Sequence, residues 1–249
     1  MEQSAQANTA ATRSVLRSRF YPILAGLILL IVLTGFSQTL YLRAFFEVPE
    51  IPPYLYVHGA LLTSWFVLFF VQTLLVEIGS TGHHRKLGIA AVTIGAVIPM
   101  AGLMATFGIP GRIVSAGFEV ASLLPAITPV IVANSLEIAF FSAALLSAVL
   151  LRRNREAHSR LMLWATLFLV GPAIARISRW PIFPDVGEQS FYLIIFSILI
   201  AIIVAHEVFR YKRVHPATII AVVSWISIQL VQPYIVGSEW GQNLVRSLA

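Results

Sequence analysis

The chain of 249 residues is 58% hydrophobic and 11% charged, with a mean hydropathy of +0.84, where a soluble domain carries about a quarter charged residues. It has no cysteine, which excludes disulfides, thiolate metal sites and any cysteine-ligated iron–sulfur cluster. The net charge of +6 is matched by anionic lipid headgroups at a membrane face and calls for no nucleic acid.

In lipid, backbone amides must be satisfied within each segment, so only helices or closed barrels cross. The apolar runs here are continuous and about 20 residues long, the length of a helical span rather than an alternating strand of about 10. Seven spans are expected, near Phe20–Leu42, Tyr54–Ile78, Leu87–Phe107, Ile131–Leu151, Leu161–Ser178, Phe191–Phe209 and Pro216–Ile235. The polar opening, residues 1–19, carries Arg13, Arg17 and Arg19. The run after it is too long for a secretory signal and lacks a small-residue cleavage site, so it reads as a retained anchor.

Basic residues then alternate between sides. Arg85 and Lys86 follow the second span, Arg152, Arg153, Arg155 and Arg160 the fourth, and Arg210, Lys212 and Arg213 the sixth. With the N-terminal three, twelve basic residues fall on one side; Arg43, Arg112, Arg176, Arg179 and Arg246 fall on the other. The positive-inside rule therefore puts the N-terminus in the cytoplasm and the C-terminus outside. Tyr21, Tyr41, Tyr54, Trp180, Tyr211, Tyr234 and Trp240 fall at span ends, as interface anchors. The expected fold is an all-α polytopic integral membrane bundle of seven transmembrane helices. It has one domain, residues 20–235, and a short outer tail, residues 236–249. The longest outer connector, Gly108 to Val130, holds Pro110, Gly111, Pro125 and Pro129 around the run Arg112–Leu124, expected as a short interfacial helix. No internal repeat is evident, which weakens a reading as an inverted-repeat transporter.

An ionisable residue at membrane depth is costly and marks a functional-site candidate. In the second span His58, Trp65 and Gln72 stand seven apart, on one stripe. They serve either as interhelical hydrogen-bonding groups or, for His58, as a ligand or proton carrier. In the fourth span Asn134 and Glu137 share a face, and an isolated carboxylate at that depth is either neutral or paired. Arg176 follows His158 by 18 residues, five whole turns, and so projects from the same face about 27 Å away. His58, Glu137 and Arg176, with Trp65 and Gln72, form the expected outer polar site.

Five of the six histidines cluster at the cytoplasmic boundary: His83, His84, His158, His206 and His215. Neutral imidazole ligates haem iron, zinc and copper. His84 is followed on its own helix face by Gly88, Gly95 and Gly102. That groove admits either another helix or a flat cofactor. His84, His158 and His206 are the candidate ligands, with Gly88 and Gly95 lining the groove. Pro99 and Pro172 are expected to kink the third and fifth spans.

Three patterns taken together carry a resemblance: His58-Gly59 with Trp65 and Gln72; His84-Arg85-Lys86-Leu87-Gly88; and His158-Ser159-Arg160-Leu161-Met162 leading to Arg176. Across residues 54–180 the chain resembles an uncharacterised family of bacterial multi-pass membrane proteins. More distantly it is similar to transmembrane b-type cytochromes of the ascorbate-reductase type. The resemblance implies a bacterial inner membrane and paired haem-ligating histidines at matching depths on both sides. The sequence departs from that pattern, because His58 is the only outer histidine; Met100 and Met104 are the alternative outer ligands.

A retinal protein is excluded, since the only lysines, Lys86 and Lys212, lie in cytoplasmic connectors. No Gly-x-Ser-x-Gly elbow, His-Glu-x-x-His helix or phosphate-binding Gly-x-x-x-x-Gly-Lys loop occurs. Three functions are left standing. One is a b-type haem or transition-metal protein for electron transfer or assembly, with a redox or membrane-protein partner. The second is a transporter or channel for a proton or small solute using His58, Glu137 and Arg176. The third is a non-catalytic membrane subunit.

Overall fold

The structure, a computed structural model, describes residues 19–183 and 186–248, so the expected N-terminal tail, apart from Arg19, and the last residue of the C-terminal tail lie outside the described residues. It is all-α, 83% helical, with no strand among the described residues. In chain order the helices are α1 (Phe20–Gly35), α2 (Pro53–Glu77), α3 (Thr81–Phe107), α4 (Ile109–Ser115) and α5 (Val120–Leu150). They continue with α6 (Arg155–Leu167), α7 (Gly171–Ser178), α8 (Glu188–Tyr211), α9 (Pro216–Gly237) and α10 (Glu239–Arg246).

Five segments are long and apolar enough to cross a membrane: α2, α3 with α4, α5, α8 and α9. The pair α6–α7 passes the same test jointly, bent by 40° at its break. α1 has only 16 residues. Its path continues through a π turn at Ser37–Tyr41 and a 3-10 turn at Arg43–Phe45. From Phe20 to Tyr41 a helix rising 1.5 Å per residue covers about 33 Å, and a bilayer core is about 30 Å thick. Each of the seven apolar stretches is therefore helical along most of its length.

Local chemistry sets the ends. Pro53 and Pro216 open α2 and α9, where a missing N–H costs nothing. The Asn154 side chain accepts the Ala157 N–H at 3.2 Å to start α6, and Ser238 accepts that of Gly241 at 3.1 Å to start α10. Lys212, at φ 58, stops α8 in the left-handed region. One expectation shifts. Pro125 and Pro129 lie inside α5 rather than ahead of it, so that helix begins at Val120 and α4 ends at Ser115. The bend expected in the fifth span at Pro172 is present, with Pro172 in the first turn of α7 directly after it, and α3 contains Pro99.

The chain alternates between two ends. His84 and His158 approach each other at one end, where Phe20 also stacks on His206; Tyr54, Arg112, Arg179 and Glu188 gather at the other. Between them lies a packed aromatic core in which Trp65 and Phe141 meet edge to face at 5.2 Å. α1 and α7 cross closely because Gly35 has no side chain. A Cβ there would lie 2.8 Å from the Ala173 carbonyl carbon and Cα. The outer surface is apolar, with Leu30, Ile89, Ile220 and Phe209 all exposed, as suits contact with lipid.

Candidate functional site

A cavity of about 470 Å³ opens at the end of the bundle opposite the histidine pair. Its polar lining includes His58 on α2, Arg112 on α4, Glu137 on α5, Arg176 on α7, Tyr192 on α8 and Gln229 on α9. The segment after α1 adds Phe36 and, from the π turn, Thr39, and π turns of this kind concentrate at functional sites. Three residues of the expected outer polar group, His58, Glu137 and Arg176, thus face one space.

Glu137 is 7% exposed. Its Oε1 accepts the Tyr192 hydroxyl at 3.3 Å, and that hydroxyl accepts the Trp225 indole N–H at 3.2 Å. The carboxylate packs directly on Gly171, the first residue of α7, where any Cβ would collide with it. The break before α7 therefore sets the start of a half-helix against an acid, and the helix dipole there favours negative charge.

Arg176 lies farther along α7. Its Nη1 donates to the Pro172 carbonyl at 2.9 Å, and its guanidinium stands 4.3 Å over the Phe36 ring. Arg112 donates to the Tyr54 hydroxyl at 2.5 Å and to the Ala105 carbonyl at 3.0 Å. Among the described residues neither arginine has a carboxylate within ion-pair distance, whereas Arg179 pairs with Glu188 at 2.9 Å. His58 Nδ1 and Thr39 Oγ1 are buried without a hydrogen-bond partner. Buried polar atoms are nearly always satisfied, so these two mark places for water or ligand.

Trp65 and Gln72, expected in the same group, lie deeper. Trp65, Phe141 and Leu145 are at most 6% exposed and pack between the cavity and the histidine end without lining the cavity. Gln72 belongs to that far end: its amide nitrogen lies 3.5 Å from where a Gly88 Cβ would sit, and its backbone approaches the His84 ring.

At the histidine end, the His84 and His158 rings are 6.5 Å apart and nearly perpendicular, at 84°. His158 Nδ1 lies 2.9 Å from the Ala148 carbonyl, leaving Nε2 free to ligate. His84 Nδ1 is buried without a partner. His206 is elsewhere, stacked on Phe20 at 3.7 Å. No group of three His, Cys, Asp or Glu able to hold a metal occurs among the described residues. Protein side chains occupy the glycine groove: a Cβ on Gly95 would lie 2.6 Å from Trp65 and 2.7 Å from Leu145, and one on Gly102 would lie 2.9 Å from Ile138. Met100 and Met104 are exposed on the bundle surface.

Nearby, Arg160 and Glu207 form a buried pair at 2.5 Å. Glu207 also accepts the His215 backbone N–H and the Thr218 hydroxyl, each at 2.8 Å. This network ties α6, α8 and α9 together. His215 Nδ1 accepts the Ala217 N–H at 3.1 Å; burial, then the nearby Arg160 charge, lowers its pKa.

Sequence reasoning missed Arg112, Tyr192, Trp225 and Gln229 as members of the cavity network. Gln229 and Gln232, three apart in an apolar span, carried a signal. Tyr192 and Trp225 carried none, because aromatics are ordinary in spans and at their ends. No family model, curated protein or solved structure matches the chain.

Proposed function

We propose that the chain is a multi-pass protein of a bacterial inner membrane, crossing seven times with its N-terminus in the cytoplasm and its C-terminus outside, and that it binds a small polar solute or a proton in the outward-facing cavity for transport. Seven helical stretches with alternating ends support the crossing count, and the excess of basic residues at the histidine end supports the orientation. The observation that carries the transport reading is the convergence of Glu137, Arg176 and His58 on one cavity walled by two interrupted helices. Irregular backbone at membrane depth is tolerated where it lines a cavity, and broken helices commonly form transporter sites. The buried Trp65–Phe141 layer lies between the cavity residues and the histidine end, so passage requires that layer to move and an open pore is disfavoured. Reconstituted into liposomes, the protein should carry a proton or solute flux that Glu137→Gln abolishes. A flux indifferent to that change overturns the reading.

The histidine pair favours a second reading. The His84 and His158 ring centres stand 6.5 Å apart, and His158 keeps Nε2 free while its Nδ1 faces the Ala148 carbonyl. They would hold a transition metal or the iron of a b-type haem, supplying electron transfer with a redox partner. A porphyrin additionally requires Trp65 and Leu145 to move off Gly95. Metal content by elemental analysis, with oxidised and reduced spectra of the wild type and His158→Ala, tests this. A colourless, metal-free protein refutes it.

A further inference from the structure

We infer that the solute taken by the outer cavity is a small carboxylate with an apolar body, gripped by Arg176. This rests on the cavity reading above and names its ligand class. Among the described residues, Arg112, Arg176 and Arg179 line the cavity against Glu137 and Glu188. Arg179 and Glu188 neutralise each other. Arg112 and Arg176 have only neutral partners: a phenol, two backbone carbonyls and an aromatic face. The remaining charge is positive whether Glu137 is ionised or protonated, because two arginines face one acid. A guanidinium keeps its proton in proteins, so only a bound anion removes the excess.

The anion's character follows from the rest of the lining. One Arg176 nitrogen is engaged by the Pro172 carbonyl, and the guanidinium fork retains donors for a carboxylate, its planar match. Leu40, Leu55, Leu62, Phe66 and Ile98 also line the cavity, which suits an apolar body better than a fully hydrated inorganic anion. A volume of about 470 Å³ lies within the range of small-molecule sites, about 300–1,000 Å³. His58 Nδ1 and Thr39 Oγ1, buried without partners, are further polar contacts for a guest.

The test uses the full chain in lipid nanodiscs and calorimetric titration with benzoate, with benzamide and benzylamine as neutral and cationic shapes of the same size. Benzoate should bind, and benzamide should bind at least about tenfold more weakly, as expected for losing a charge-assisted pair. Arg176→Gln should lower benzoate affinity by a similar factor, with Arg176→Lys intermediate and the exposed Arg152→Gln unchanged. Glu137→Gln should bind benzoate at least as well as the wild type, having lost a like charge. Oleate that displaces benzoate in an Arg176-dependent manner keeps the carboxylate chemistry and places its source in the bilayer. Equal binding of benzamide, or benzoate binding untouched by both Arg176 variants, overturns the proposal while leaving the cavity reading intact. Silence from every probe in a protein with Glu137-dependent flux overturns only the carboxylate; silence without that flux overturns both.

Discussion

Removing the Glu207 carboxylate should cost more than any other single change at the histidine end. The Arg160 and Glu207 side chains are 4% and 2% exposed. Glu207→Ala leaves the guanidinium with the Glu156 carbonyl, the Tyr211 ring face and a Glu156 carboxylate at 3.9 Å that is itself half exposed. It also strips the acceptor from the His215 N–H and the Thr218 hydroxyl. Breaking a buried pair from one side costs about 3–5 kcal/mol, because the surviving charge stays desolvated. At about 2–4 °C per kcal/mol for a chain of this size, the melting temperature in detergent should fall by about 6–20 °C. The double variant Arg160→Met/Glu207→Leu removes both charges and should recover most of that loss, with a coupling energy of about 2–3 kcal/mol. If the double variant melts as low as Glu207→Ala, the uncompensated charge is not the cause and the account of this network is wrong.

Gly35→Ala should destabilise by about 1–3 kcal/mol, since the obstructing atoms belong to the Ala173 backbone and cannot rotate away. Gly82→Ala, in open space within α3, should instead stabilise by up to about 1 kcal/mol; equal melting shifts for the two would discredit the close α1–α7 crossing. Gly171→Ala should displace the Glu137 carboxylate and abolish flux, and Gly171→Ala/Glu137→Ala should melt higher than Gly171→Ala alone. At His215 the folded-state pKa is lowered, by burial first, so the unfolded chain binds the proton more readily. Stability from this cap is therefore full above about pH 6.5 and falls away as pH drops. His215→Ser should flatten a melting curve followed from pH 7.5 to 5, and an unchanged acid limb would show that the cap carries no pH dependence.

Much of the architecture was legible because lipid leaves few choices. Apolar runs of about 20 residues must close their own hydrogen bonds, so each of the seven stretches became helix, and the basic connectors marked one end. The placement of His84 and His158 at a common end followed from counting crossings. The common level of His58, Glu137 and Arg176 followed from depth alone. Helix boundaries were harder: Pro125 and Pro129 read as connector, yet α5 absorbs both.

Rotation about each helix axis was not encoded, because spans apolar on every side carry little periodic signal. Only tertiary packing decided that Tyr192 and Trp225 support Glu137, and that Arg112 turns inward to Tyr54. It also separated His206 from the other two histidines and filled the glycine groove beside Gly95 with Trp65 and Leu145. The π turn after α1 likewise belongs to the assembled bundle, whereas the break before α7 falls where Pro172 marked it. The sequence determined that polar residues would lie at membrane depth, through the cost of burying them; the packed helices decided which of them share a cavity.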